Sequence, residues 1–292
     1  MPNIRGIVLA GGKGTRLRPL TFAVSKQLLP VYDKPMIYYP LSVLMLCGIR
    51  EIAVVTDPRE SETYASLLGD GSQWGVSFTY IEQPSPDGLA QAISLSDKFI
   101  DGNRVAMILG DNIFYGGSFR LLLASALASK SGACIFVHKV ADPENYGVAE
   151  FDHNGEIIKV LEKPTACQSD FAITGLYFFD GTAVERTKKI NKSARGEFEI
   201  VELISNYLVD EAVSVQKLGR GLTWLDAGTH EGLINAGNLV RTLQQRQGLL
   251  IGSPDEVSYQ NGWISLENLI DRANLCAETE YGSNLLELAS QK

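Results

Sequence analysis

Apolar residues along the chain fall into two alternating rhythms. Short runs rich in Val, Ile and Leu occupy 5–10, 49–56, 76–82, 105–109 and 133–140, and runs of this length and composition predict buried strands. Between them, apolar residues at three- and four-residue spacing predict helices over 36–47, 60–68, 89–100 and 119–129. Strand and helix in alternation predict an α/β fold with a doubly wound, mostly parallel sheet. Right-handed crossovers in such a sheet carry the loops after the strands to one edge, where ligands bind.

After Val140 the rhythm changes. Residues 148–151, the pair Asn154-Gly155 and residues 156–161 predict a β-hairpin with a tight turn. A further strand is expected over 173–179, then helices over 182–190 and 199–208. A strand over 213–218 and a long amphipathic helix over 230–247 follow. From Gly248 a Pro-containing connection leads to a helix over 265–273, with Trp263, Leu266 and Leu269 spaced along one face. No repeat, low-complexity tract or linker divides the chain. The expected organisation is one domain over 1–248, its halves meeting near residue 140, with a small C-terminal helical appendage over 249–292.

Composition narrows the function. The 292 residues are 45% apolar and 21% charged, which suits one large globular domain. Met1-Pro2-Asn3-Ile4-Arg5 lacks the order of a signal peptide, and the apolar stretch 36–47 is too short for a membrane span and contains Pro40. A cytoplasmic protein without membrane partners is expected. Cys47, Cys134, Cys167 and Cys276 are scattered and read as reduced thiols. The net charge of -8 argues against nucleic acid as a partner. Yet before Asp33 the chain carries Arg5, Lys13, Arg16, Arg18 and Lys26 and no acid. Unopposed positive charge gathered around glycines points to a small polyanion.

That charge surrounds Leu9-Ala10-Gly11-Gly12-Lys13-Gly14-Thr15-Arg16-Leu17-Arg18-Pro19-Leu20-Thr21. Three glycines let successive N–H groups converge on one anion. Leu17 occupies the place of the third glycine of a dinucleotide fingerprint, which excludes an oxidoreductase of that type. Gly14 after Lys13, and Ile7 in the place of a first glycine, exclude a P-loop. The segment 9–21, followed by Ser25-Lys26-Gln27-Leu28-Leu29-Pro30, resembles the signature of sugar-nucleotide pyrophosphorylases, nucleotidyltransferases with a Rossmann-like core. The segments 30–41, 83–92, Leu109-Gly110-Asp111-Asn112 and Trp224-Leu225-Asp226 are similar to the branch of that family that uses dTTP and glucose 1-phosphate. The likeness runs from about residue 4 to 248.

The resemblance implies transfer of dTMP from dTTP to α-D-glucose 1-phosphate, giving dTDP-glucose and pyrophosphate, as the first step towards dTDP-rhamnose for surface polysaccharide. It implies that Gly11, Gly12, Gly14, Thr15 and Arg16 hold the β- and γ-phosphates and Lys26 the α-phosphate. Gln83 and Gly88 would read the base and Gln27 would lie near the nucleotide sugar. Asp111 and Asp226 would hold Mg²⁺, two hard oxygen donors being what that ion requires. Lys163 would bind the sugar phosphate, Glu162 the sugar hydroxyls, and Tyr146, Gly147, Ile173 and Trp224 would line the pocket. Arg16, Lys26 and Lys163 would carry the catalysis. Taken alone, Asp226 before Gly228-Thr229 also reads as a cap or turn residue, Gln83 as an exposed loop residue, and the aromatics as core. Two spellings depart from the family: Ala227 where Thr is expected and Glu202 where Asp is common. A UTP-using enzyme and a non-catalytic regulatory nucleotide-binding protein remain alternatives, the latter opposed by the presence of Arg16, Asp111, Lys163 and Asp226. The resemblance also implies a homotetramer with a feedback site for a nucleotide-sugar. Gly116-Gly117-Ser118-Phe119, Arg220 and Arg246 are its candidates.

Overall fold

The computed structural model describes residues 4–291, beginning with strand β1 (Ile4–Ala10). From Gly6 onward β1 is buried, with Val8 and Ala10 in one apolar cluster and Ile7 and Leu9 in another. This period of two with both faces apolar belongs to the interior of a parallel sheet. A loop and the ribbon of β2 (Pro30–Val31) and β3 (Lys34–Pro35) lead through helix α1 (Tyr38–Leu46) to β4 (Glu51–Thr56), parallel to β1. Helix α2 (Ser61–Leu68) leads to β5 (Ser77–Glu82), parallel to β4. Helices α3 (Leu89–Leu95) and α4 (Asp97–Ile100) lead back to β6 (Arg104–Leu109), parallel to β1 on its other side. The carboxyl ends of these four strands share one edge, as the alternation required.

Strand β7 (Asn112–Tyr115), helix α5 (Phe119–Ala128), strand β8 (Ala133–Lys139) and the hairpin β9 (Gly147–Phe151) and β10 (Ile157–Glu162) follow. Then come β11 (Phe171–Phe179), α6 (Ala183–Thr187), α7 (Ile200–Val209), β12 (Val213–Leu218) and β13 (Thr223–Asp226). The chain ends in α8 (His230–Gln247), α9 (Pro254–Gln260), α10 (Leu266–Asn274) and α11 (Glu280–Ser290). Strands other than β2, β3, β7 and β13 form one sheet in the order β10-β9-β11-β6-β1-β4-β5, with β8 and then β12 on the other side of β11. Helices α1, α2 and α5 pack one face, and α3, α4, α6 and α7 the other. Among the described residues no helix is long and apolar enough to cross a membrane.

The feature that shapes the site is a fork. Along one side β11 pairs β9 at Ala172 and β6 from Leu176 to Phe179, both antiparallel. The ladder breaks around Thr174 and Gly175, and the Gly175 N–H donates instead to Asn112 Oδ1 at 3.1 Å. A Cβ on Gly175 would lie 2.6 Å from Leu109 Cγ and 2.8 Å from Asn112 Cγ, so only glycine lets β11 approach this closely. The ribbon of β7 and β13 closes beside the gap.

Three local expectations change. Residues 89–100 form two helices, broken at the fully buried Ser96, whose hydroxyl bonds the Ala92 carbonyl at 2.7 Å. Such local bonds compete with a continuous helix. The hairpin turns through a wider loop in which Asp152 Oδ1 accepts from the N–H groups of Asn154 and Glu156, each at 2.9 Å. The appendage holds three helices where one was expected. Helix α1 is apolar nearly all round because α9 packs against it from outside the sheet layers.

Candidate active site

Two loops extend the sheet edge in register. The Gly110 N–H donates to the Leu9 carbonyl at 2.9 Å, and the Gln83 N–H to that of Thr56 at 2.8 Å. Beyond β1, Gly14 takes a left-handed conformation (φ 58), and its carbonyl accepts from Leu17 N–H at 2.9 Å and Thr21 Oγ1 at 2.7 Å. Leu17 is fully buried and anchors this turn, which leaves Arg16 facing outward.

Two cavities adjoin at this edge. One, of about 400 Å³, is lined by Gly11, Gly12, Gly14, Thr15, Gln83 and Gly88 among others. The second, of about 260 Å³, is lined by Gln27, Asp111, Tyr146, Glu162, Lys163 and Trp224 among others. Gly12, Arg16 and Lys26 line both, so two cations stand at the shared wall.

Asp111 and Asp226 line the second cavity beside Lys26 and Arg16 of the shared wall. A Cβ placed on Gly228 would lie 2.7 Å from Arg16 Nη2, 2.8 Å from Asp226 Oδ1 and 3.0 Å from Asp111 Oδ2. Lys26 donates to Asp111 Oδ2, and Asn112 Nδ2 to Asp111 Oδ1 at 3.1 Å. Burial acts to raise the Asp111 carboxyl, but the Lys26 charge and these hydrogen bonds hold it below the usual range. Burial and the neighbouring Asp111 charge push Asp226 upward, against the opposing Arg16. Asp226 does not cap α8; Thr229 does, accepting from Gly232 N–H at 3.0 Å. Two carboxylates held together at a cavity wall are hard oxygen donors of the kind that suit a divalent cation. Among the described residues no cluster of three or more His, Cys, Asp and Glu forms a metal site.

The sequence profile of the nucleotidyl transferase family matches residues 5–242. The chain belongs to that family. It is 53% identical to a glucose-1-phosphate thymidylyltransferase of Neisseria meningitidis over 98% of this chain and 99% of that one. It is 50% identical to the enzyme of the same name from Xanthomonas campestris pv. campestris, over 100% and 99% of the two chains. A crystal structure of a Bacillus anthracis protein assigned the same activity superposes with a TM-score of 0.76 at 39% identity, covering 82% of this chain and 95% of that one.

In this nucleotidyl transferase the sequence candidates for phosphate, base, sugar and metal all line one or the other cavity. Lys163 lies in the left-handed region (φ 40) and its N–H donates to the Tyr146 carbonyl at 3.0 Å, a strained backbone of the kind found at ligand sites. The Gln83 amide is partly engaged within the protein. Its Nε2 already donates to Gln91 Oε1 at 2.7 Å and to the Gly88 carbonyl at 3.3 Å, so its oxygen is the end left for a base. Gly88 (φ 111) admits no side chain, since a Cβ would meet the Phe198 carbonyl oxygen at 2.4 Å.

Sequence reasoning missed three groups. Asn112 is buried and ties the Asp111 carboxylate to the Trp224 indole N–H and the Gly175 amide. Arg195 donates to Glu162 at 2.9 Å and lies 3.5 Å from Glu199, so it faces the second cavity. Burial and the Glu199 charge raise the Glu162 carboxyl, opposed by Lys163 and Arg195. Tyr64 reaches the floor of the glycine loop from α2. Asn112 could have been found beside Asp111 in the motif; the other two carried no sequence signal.

Proposed function

We propose that this chain transfers dTMP from dTTP to α-D-glucose 1-phosphate, releasing pyrophosphate and forming dTDP-glucose. The observation that carries the reading is the shared wall: Arg16 and Lys26 face both cavities, where two phosphorylated substrates would meet. A sugar-phosphate oxygen forms the new bond to the α-phosphorus as the bond to the β-phosphate oxygen breaks. A phosphate monoester has its second pKa near ~6, so the nucleophile is ionised without a protein base. None of His138, His153 and His230 lines either cavity, in keeping with this. The protein's part is orientation and charge. Arg16 and the glycine-loop N–H groups would take up charge on the departing pyrophosphate, Lys26 would hold the α-phosphate, and Lys163 the sugar phosphate. Asp111 and Asp226 would hold Mg²⁺, which supplies charge neutralisation between the phosphates. Gln83 Oε1 would accept from thymine N3–H beside the Gly88 backbone. The test is pyrophosphate release measured across four nucleotides and several sugar 1-phosphates. Highest kcat/KM with dTTP and glucose 1-phosphate is expected, and a clear preference for another pair would overturn the reading. UTP should serve more weakly, because one methyl is worth only ~1–3 kcal/mol.

Feedback by a nucleotide-sugar in a homotetramer is a second proposal. A groove of about 290 Å³ beside Gly116, Gly117 and Phe119 shares no lining residue with the two cavities and is closed by residues of the appendage. Arg120 and Glu256 line it, rather than Arg220 or Arg246. Inhibition by dTDP-rhamnose that is non-competitive with dTTP supports this reading; purely competitive inhibition counts against it.

A further inference from the structure

Tyr64 lies on α2, lines neither cavity and is fully buried in the apolar cluster beneath the glycine loop. Its hydroxyl is nevertheless held by polar partners. It lies 2.7 Å from Ser25 Oγ, 3.2 Å from Gln27 Oε1 and 3.4 Å from the Ala10 carbonyl oxygen. Ser25 Oγ in turn donates to Gln27 Oε1 at 2.7 Å. An amide oxygen only accepts, so whichever of the two hydroxyls donates to the other, Gln27 Oε1 takes a hydrogen bond from this pair. The two hydroxyls form one network that ends on the Gln27 amide oxygen, its members polarising one another. Burial pushes the phenol well above its ordinary range, which keeps that proton in place.

An amide whose oxygen is bonded from the core side turns its N–H₂ group the other way. Gln27 lines the second cavity beside Leu9 and Asp111, next in the chain to Lys26 at the wall shared with the first. We propose that Tyr64 is a positioning residue for nucleotide recognition, holding Gln27 so that it offers only donors to the bound nucleotide. This rests on the reading of the site given above.

Tyr64→Phe removes the oxygen and little else. Loss of one such hydrogen bond should raise KM for dTTP about 2–10-fold, with kcat and KM for glucose 1-phosphate changed less than about twofold. In a Gln27→Ala background the same substitution should leave KM for dTTP unchanged, because a residue that acts only through another shows no effect once that other is gone. An unchanged KM in Tyr64→Phe, or an equal rise in both backgrounds, overturns the inference while the functional reading stands. If the wild-type chain turns over no dTTP, the functional reading falls first, and the inference with it.

Discussion

Arg16 owes its place to its neighbour Leu17, whose burial turns the loop so that the guanidinium faces both cavities while lying 3.7 Å from Asp226. Arg16→Ala should lower kcat about 10²–10³-fold, the usual loss for one group that stabilises charge in the transition state; steady-state turnover close to wild type would remove it from the mechanism. Lys163 faces only the second cavity. As the group proposed to hold the sugar phosphate, Lys163 when changed to Ala should weaken glucose 1-phosphate without weakening dTTP through loss of one charge-assisted phosphate contact, and calorimetric titration of each substrate separates the two. Asp226→Asn removes a hard anionic donor and should raise the Mg²⁺ concentration needed for half-maximal rate. A metal titration that does not move would leave Asp226 with only its turn, in which Oδ1 accepts from Gly228 N–H at 2.8 Å.

At the scale of elements, α9 combines structural and electrostatic roles. Ser253 caps it by accepting from Glu256 N–H, and Pro254 occupies its first turn. Glu256 accepts from Gln260 at 2.7 Å, yet burial raises its carboxyl from 4.5 to about 7 against the opposing charges of Arg120 and Lys34. The folded chain then binds this proton more tightly than the unfolded chain. The proton's contribution to stability is complete below 4.5 and is lost as pH rises to about 7. Glu256→Gln should thus stabilise the protein by on the order of 1–3 kcal/mol at about pH 8 and change little at about pH 4. Denaturant midpoints at the two pH values check this; an equal effect at both would mean that burial does not perturb the group.

Across the whole molecule, one carboxylate joins the appendage to the sheet domain. Asp255 is buried and accepts from Trp74 Nε1 at 2.9 Å, from Arg272 Nε at 2.7 Å and from the Tyr281 hydroxyl at 2.7 Å. These partners come from the loop before β5, from α10 and from α11. Asp255→Ala leaves a partly buried guanidinium and the Trp74 indole N–H without their acceptor and should cost on the order of 3 kcal/mol. With the anchor intact, residues 249–292 should unfold together with 1–248 in one calorimetric transition. Two resolved transitions would make the appendage an independent unit.

The alternation of strands and helices was legible because each parallel strand is a continuous apolar run, a signal that needs no partner to be read. The glycine loop and its cations were legible because they lie within a short stretch of chain. The fork at Gly175 was not, since it depends on Leu109 and Asn112, more than sixty residues earlier. Ribbon β7 and β13 joins Asn112 to Asp226 in register across a still wider gulf of sequence. Tyr64 and Arg195 carry no local mark of function: one lies in an amphipathic helix, the other in a polar loop. Residue type and local spacing determined the fold class and the glycine loop with its cations. Only tertiary packing decided which end of each amide faces the site, which carboxylate is raised and which cations stand where the two cavities meet, because those properties belong to neighbours that the chain brings together on folding.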